Sequence, residues 1–448
     1  MKILLVSPFH PELMKGGSQQ ICYELFEGLK DLPDVEPILL AAVDESCGFL
    51  FKSGARITGF DQRDNEFLYL SRGYDFIWHK ATVPVLVAAF VEFLELVQPD
   101  IVHFHHFLLF GLDLLTVTRR TLPNARIIFT FHEFIAICDA DGHLVRRTDG
   151  SLCSHASHVR CYQCFPDRTP EQFFVREMWV KRHLAAVDIF TVPSAFMSER
   201  FVRWGLDANK ITHVTNGQRD YSDGRLVTDD RTKRNRFGFF GQLIDIKGVH
   251  LILRAVRQLR VEGFTDFVIE INGGNLQYAT EACRAEIEAF FAVEEKLPFD
   301  QRIVFRNGPY QVDQLRQRMA RVDWCVVSSI WLETFALVIS EAWMFRKPVI
   351  CANAGAMAER VTHEADGLHF EIGSEIALAQ ALRRAATEPG LWERLAANVP
   401  RPPSRDDMVR GFRAVYGTEQ PVAAEKAAPP SSAPRPALRA RGSNALLR

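Results

Sequence analysis

Residues 324–343, WCVVSSIWLETFALVISEAW, hold one unit of the fold. "WCVVSS" is a short apolar run rich in β-branched residues, the pattern of a strand buried on both faces. "LVISEAWMF" follows as a helix packed into a core. Glu333 then falls in the connecting loop, and Glu341 a turn or two into the helix. A buried acid costs several kcal/mol unless it is hydrogen-bonded or neutralised. Glu262 with Glu270, and Glu286 with Glu294, share the spacing, but charged neighbours make those pairs a solvated face. For Glu333 and Glu341 two readings stand. One is a loop-capping acid plus a partly exposed helix acid. The other is a pair of acids satisfied by a ligand that carries hydroxyls or positive character.

The same unit recurs along the chain. Strand-like runs "KILLVS", "EPILLAAV", "DIVHFHH", "RIIFTFH" and "DIFTVPS" occupy the first half, and "RFGFFG", "FVIEING", "RIVFRN", "WCVVSS" and "KPVICAN" the second. Amphipathic helical stretches such as "SQQICYELFEGLKDL" and "GVHLILRAVRQLRVEG" separate them. This alternation predicts two α/β domains, each a doubly wound parallel sheet, with the ligand in the cleft at the carboxyl ends of the strands. The polar stretch "HVTNGQRDYSDGR", with its Asn216-Gly217 turn, is the linker candidate. We expect domains over 1–215 and 216–399, a last helical segment over 400–418, and a disordered Ala/Pro/Ser-rich tail over 419–448.

A chain of 448 residues with 47% hydrophobic and 24% charged residues has the composition of a globular protein, and a net charge of −2 argues against a general nucleic-acid binder. The opening "MKILLVSPFHPE" is a first strand rather than a signal peptide. "IVHFHHFLLFGLDLL" is broken by three histidines and Asp113, so no membrane span is expected. The nine cysteines are taken as reduced thiols in a cytoplasmic protein. The tail arginines could touch an acidic membrane surface, a solvated tail being the plainer reading.

Several stretches carry chemistry. Gly16-Gly17 opens a helix with Ser18 as its expected N-cap, where a bare backbone admits an anionic ligand or a plain loop suffices. His132 ends the strand "RIIFTFH", either as a satisfied core histidine or as a group facing the cleft. Lys247-Gly248 stands between a strand and a helix, a placement that suits phosphate. The amides of Phe335, Ala336 and Leu337 should stand free at a helix start and form a second anion site. A nucleoside diphosphate bearing a sugar offers both phosphates and hydroxyls to such a set.

Taken in order over residues 1 to 417, these motifs resemble glycosyltransferase family 4, the retaining glycosyltransferases of the GT-B fold. Gly16-Gly17 matches the glycine pair after the first strand, and "TFHEF" the T-x-H-[DEN] context. Asn216-Gly217 matches the linker pair, and "FFGQLIDIKG" the F-x-G-R-x4-K-G motif. Glu333 to Ala342 match the E-[GT]-F-G-L-x3-E-A run. "RKPVICANAGAMAE" and "DGLHF" then match the family's G-x-P-V-I and glycine-rich turn. The resemblance implies a GT-B enzyme that transfers a sugar with retention and without a catalytic metal. Glu341 would bind the ribose and Glu333 the transferred sugar. Lys247 would neutralise the diphosphate, Gly17 would let the diphosphate or acceptor approach, and His132 would position the sugar. The implied donor is a UDP- or GDP-linked sugar and the implied acceptor a saccharide or lipid-linked hydroxyl. The implied setting is surface polysaccharide or glycoconjugate synthesis, with contact at the inner face of the membrane. The 400–418 helix would pack back on the first domain. Three positions depart from the motifs: Gln242 replaces the diphosphate-binding arginine, Ala336 a glycine, and Arg346 another glycine. A nucleotide-sugar epimerase and a non-catalytic nucleotide-sugar-binding scaffold are the rival readings.

Within the insertion 138–166, Cys138, Cys153, Cys161 and Cys164, the last two as C-x2-C, have the number and type of ligands for a structural zinc ion, with His143, His155 and His158 as substitutes. Reduced, unliganded cysteines are the alternative. Asp139-Ala140-Asp141 resembles the D-x-D of metal-dependent transferases of another fold and is read here as loop.

Overall fold

A computed structural model describes residues 1–52, 54–222 and 232–417. Two sheets form the frame. The first runs from edge to edge as Ile211–His213, Ile189–Val192, Arg126–Thr130, Ile101–Phe104, Lys2–Ser7, Glu36–Val43, Glu66–Leu70 and Ile57–Gly59. All its pairings are parallel except the last. The second, wholly parallel, runs as Val304–Gly308, Val268–Asn272, Arg236–Phe240, Trp324–Val327, Val349–Ala352 and Gly367–Phe370. Glu66–Leu70, Ile57–Gly59, Ile211–His213 and Gly367–Phe370 extend the strand set expected from the sequence. They are edge or near-edge strands, too short for a clear period.

The central strand Lys2–Ser7 shows why both faces must be covered. Leu4 and Val6 point into one core with Phe90, Phe104 and Phe129. Ile3 and Leu5 point into another with Ile21, Leu25 and Phe26 of the helix Gly17–Lys30. That second core also takes Met408, Val409, Phe412, Val415 and Tyr416, one stripe of the helix Arg405–Tyr416. The end of the chain therefore completes the first sheet's cover. Arg405 fastens it to Glu24 at 2.6 Å, and the Tyr416 hydroxyl meets His103 Nδ1 at 2.8 Å. The chain crosses between domains twice, and the crossings lie side by side. A Cβ on Gly217 would stand 1.9 Å from the Ser404 carbonyl oxygen, so only glycine fits. The linker residues 223–225 and the tail 419–448 lie outside the described residues.

The domains also touch across the cleft. The Thr334 hydroxyl donates to the His132 carbonyl at 2.7 Å. The Glu359 carboxylate accepts from the amides of Ala195 and Phe196, at the start of the helix Ala195–Trp204, at 2.9 and 2.8 Å. Gly17 lies opposite Leu337: a Cβ there would meet the Leu337 side chain at 3.6 Å.

Candidate active site

The second domain's side of the cleft is built at the carboxyl ends of its strands. Arg236–Phe240 ends at Gly241, and the chain runs through a short turn, Asp245–Lys247, into the helix Val249–Val261. Gly248, at φ +69, caps that helix; a Cβ would stand 2.0 Å from the Ser328 carbonyl oxygen. This close packing sets Lys247 beside the loop after Trp324–Val327. Lys247 Nζ meets the Glu333 carboxylate at 2.7 Å, and the Ser329 hydroxyl donates to the same oxygen at 2.6 Å. Glu333 is 4% exposed. Burial alone would raise its pKa, but Lys247 and the hydrogen bonds together hold it below the ordinary carboxylate range. Its companion Lys247 also lies 5.3 Å from the centre of the Trp331 ring.

The helix Leu337–Met344 starts directly after this loop, capped by Ala336 at φ 61, in the left-handed region. Arg346, the other departure from a family glycine, is also left-handed at φ 56. Among the described residues the amides of Phe335, Ala336 and Leu337 have no hydrogen-bond acceptor, so three donors stand free at the positive end of a helix. Beneath them, Arg360 donates to the Phe335 and Ala336 carbonyls at 3.0 and 2.9 Å and lies 3.8 Å from the centre of the Phe335 ring. Burial lowers the pKa of that guanidinium to about 9, which keeps it protonated at neutral pH. Arg360 has no obvious signal in the sequence; it lies in a short helix, Gly355–Arg360, past the motif.

Glu341 sits in the same helix. Among the described residues no cation pairs with it, and burial pushes its carboxyl up to about 7, with the adjacent Gln218 amide pulling the other way. Tyr221 and Tyr310 lie close enough for Glu341 to raise their own hydroxyl pKa values. Gln242 makes no hydrogen bond to the protein among the described residues.

On the first domain's side, His132 Nε2 and His105 Nδ1 share a hydrogen bond at 3.0 Å, the rings stacked 5.3 Å apart. Burial holds both imidazoles neutral, well below their ordinary pKa. His103 lies under His105 with ring centres 4.3 Å apart, bonded to Tyr416 on one nitrogen and to Thr130 on the other. The alternating histidines of "IVHFHHF" were the available signal for this stack; strand alternation puts His103 and His105 on one face.

The helix after Gly16-Gly17 departs from expectation. Gly16, not Ser18, occupies the N-cap, with no side-chain cap bond, and the Ser18 hydroxyl turns to Gln19. Asp139 pairs with Arg168 and, at 3.1 Å, with Arg176. His143 stands in the cleft with its ring 5.5 Å from Trp331, and His158 pairs with Glu177 at 3.0 Å. Burial pushes the Cys138 and Cys161 thiols up to about 11, and Cys153 adds to both shifts, so these three lie within electrostatic reach of one another.

Two family descriptions match the chain: Glycosyltransferase Family 4 over residues 16–218 and Glycosyl transferases group 1 over residues 234–388. The putative glycosyltransferase YtcC of Bacillus subtilis is 26% identical over 235 residues, 49% of this chain and 56% of its own length. The D-inositol 3-phosphate glycosyltransferase of Rhodococcus jostii is 27% identical over 276 residues, 58% of this chain and 59% of its own. The chain thus spans less than two thirds of either relative. Among solved structures, Anabaena Alr3699/HepE in complex with UDP has a TM-score of 0.64 at 16% identity, over 94% of this chain and 100% of that one. A sucrose-phosphate synthase from Thermosynechococcus elongatus has 0.68 at 17% identity, over 93% and 99%. Two mainly parallel sheets across a cleft, a returning C-terminal helix and family matches on both sides of that cleft converge, and the chain belongs to the group 1 glycosyltransferases of the GT-B fold.

Proposed function

We propose that this glycosyltransferase moves a sugar from a nucleotide diphosphate donor to a hydroxyl of a saccharide or lipid-linked acceptor, with retention and without a catalytic metal. The observation that carries the reading is the Lys247–Glu333 pair, 2.7 Å apart, beside three acceptor-free amides at the start of the helix that holds Glu341. Lys247 and the amides of Phe335, Ala336 and Leu337 suit the diphosphate. As the sugar–phosphate bond breaks, its electron pair stays on the diphosphate oxygen, where a fixed cation and amide dipoles lower the barrier. The new bond forms between the acceptor oxygen and the anomeric carbon, and the acceptor proton leaves with the departing charge. Glu333, kept ionised by Lys247, accepts hydrogen bonds from the sugar hydroxyls. Glu341 accepts from the ribose. Gln242 adds a neutral donor where the family carries an arginine, so Lys247 bears more of the charge. Gly17 keeps the cleft wall low opposite Leu337, and His132, bonded to His105 through Nε2, offers Nδ1 to the sugar. Retention rests on the likeness of residues 333–342 to the retaining family's motif. A role in surface polysaccharide or glycoconjugate synthesis, in the cytoplasm or at the inner face of the membrane, rests on the same likeness; no helix among the described residues is long and apolar enough to cross a membrane. Solved neighbours carry UDP and UDP-glucose, so uridine donors are the first to try.

The test is binding of a panel of UDP- and GDP-sugars by thermal shift, repeated on Glu341→Ala, then product analysis with the donor that binds. A shift lost in the variant, and a product with the donor's anomeric configuration by NMR, are expected. Binding without turnover would favour a scaffold, and donor conversion without acceptor an epimerase. Activity abolished by EDTA and restored by magnesium or manganese would overturn metal independence.

A further inference from the structure

The insertion after His132 has little of its own to hold it together. From Cys138 to Phe165 its buried residues are Gly142 and Leu144 alone. A module this small, without a core, needs another source of order. What order it shows comes from a narrow hairpin, a short helix and the edge of the first domain's core, where Leu144 is buried and Leu152, Cys153 and Ala156 pack. Val145 and Leu152 bridge antiparallel, and the Cys153 amide donates to the Leu144 carbonyl at 2.7 Å. The helix His158–Cys164 comes next, capped by Ser157.

The four cysteines come from three places in this module and line one cavity. Cys138 enters from the turn after His132, Cys153 from the end of the hairpin, and Cys161 and Cys164 from one face of the helix, a turn apart. The cavity measures about 20 Å³, and roughly 10–15 Å³ is what a single water-sized occupant requires. Arg146 and Arg160 also line it, and the Nε of each is buried without a hydrogen-bond partner. Orphaned buried N–H groups are uncommon and call for an acceptor. Four thiolates around a divalent ion carry two net negative charges, and their sulfurs accept hydrogen bonds from donors of this kind.

We propose that Cys138, Cys153, Cys161 and Cys164 bind one structural zinc ion. As placed, no three His, Cys, Asp or Glu side chains among the described residues are arranged to hold a metal. The sulfurs line the cavity wall, and the ion draws them together by rotation about the Cα–Cβ bonds, with loss of the four thiol protons to solvent. Arg146 and Arg160 then face a doubly negative centre. The module reaches the cleft through His143, whose ring lies 5.5 Å from Trp331, itself over Lys247. Zinc thereby orders a loop that walls the catalytic pair.

The experiment is metal analysis of the full-length chain, purified without chelator or nickel affinity. One zinc per chain is expected, released by an organomercurial with four equivalents of the reagent taken up by thiolates per zinc. Cys161→Ser and Cys164→Ser should each lose the metal, about a tenfold fall or more in bound zinc. Should these variants fail to fold, a cobalt-grown wild type showing thiolate-to-cobalt absorption of tetrahedral character carries the test. Wild type without metal and with all nine cysteines titratable would overturn the proposal. So would a disulfide among the four by mass spectrometry, or iron with acid-labile sulfide. None of these readings depends on glycosyl transfer, so failure here leaves the proposed function standing.

Discussion

Glu341 is a carboxyl that pays for its position in the free protein, and replacing it by glutamine measures how much. The folded chain holds its proton up to about 7, against an ordinary 4.5 in the unfolded chain. Between those values the unfolded state has released a proton that the folded state still binds. Stability therefore falls as pH rises from 4.5 to 7 and stays reduced above. A difference of about 2.5 pH units is worth about 3 kcal/mol. Glu341→Gln removes that dependence. The variant should be more stable than wild type by about 3 kcal/mol at pH 8, or on the order of 6 °C in melting temperature, and the gap should close toward pH 4.5. The same change removes a charged acceptor from the ribose, a loss of about 1.5–3 kcal/mol, or roughly ten- to a hundredfold in donor affinity. Melting curves across pH 4.5–8 on both proteins, with donor titrations at pH 8, make the assay. A variant no more stable at pH 8 than at pH 4.5, relative to wild type, would refute the desolvation argument. Unchanged donor affinity would refute the ribose role.

Other outcomes come from the same geometry. Lys247→Ala leaves Glu333 buried without its cation and removes the charge at the diphosphate; kcat should fall about 10²–10³-fold in a donor-transfer assay, with a loss of about 3 kcal/mol in urea unfolding. Ala336→Gly relieves a left-handed alanine and should stabilise the second domain by up to about 1 kcal/mol, read by thermal melting. Gly217→Ala drives a Cβ into the Ser404 carbonyl and should cost more than about 2 kcal/mol or abolish soluble expression. Tyr416→Phe strips His103 Nδ1 of its buried partner at 2.8 Å and should cost about 1–3 kcal/mol while leaving the cleft intact, seen as lower stability with unchanged KM for the donor.

Much of the frame was legible because it is local. Apolar runs of strand length alternating with helical periods specify two parallel sheets, and loops at their carboxyl ends place Lys247, Glu333 and the amides 335–337 near a cleft. The acids of residues 324–343 were also placed correctly along the chain: Glu333 in the loop, Glu341 in the helix. Their partners were not legible. One acid is paired with a lysine 86 residues away, and the other has no cationic partner among the described residues, so the two sit in opposite electrostatic states. The Ser18 cap failed because Gly16 already stands in the extended cap position, a choice of backbone that residue type alone leaves open. Likewise His105 under His132, Arg360 under the helix start, and the gathering of four cysteines on one cavity join residues that no periodicity relates. Periodicity encodes which face of an element avoids water, and that much the sequence by itself determined. Which charges meet across the cleft, and which stay unpaired, depends on the distance and angle between packed elements, and only the tertiary structure decided it.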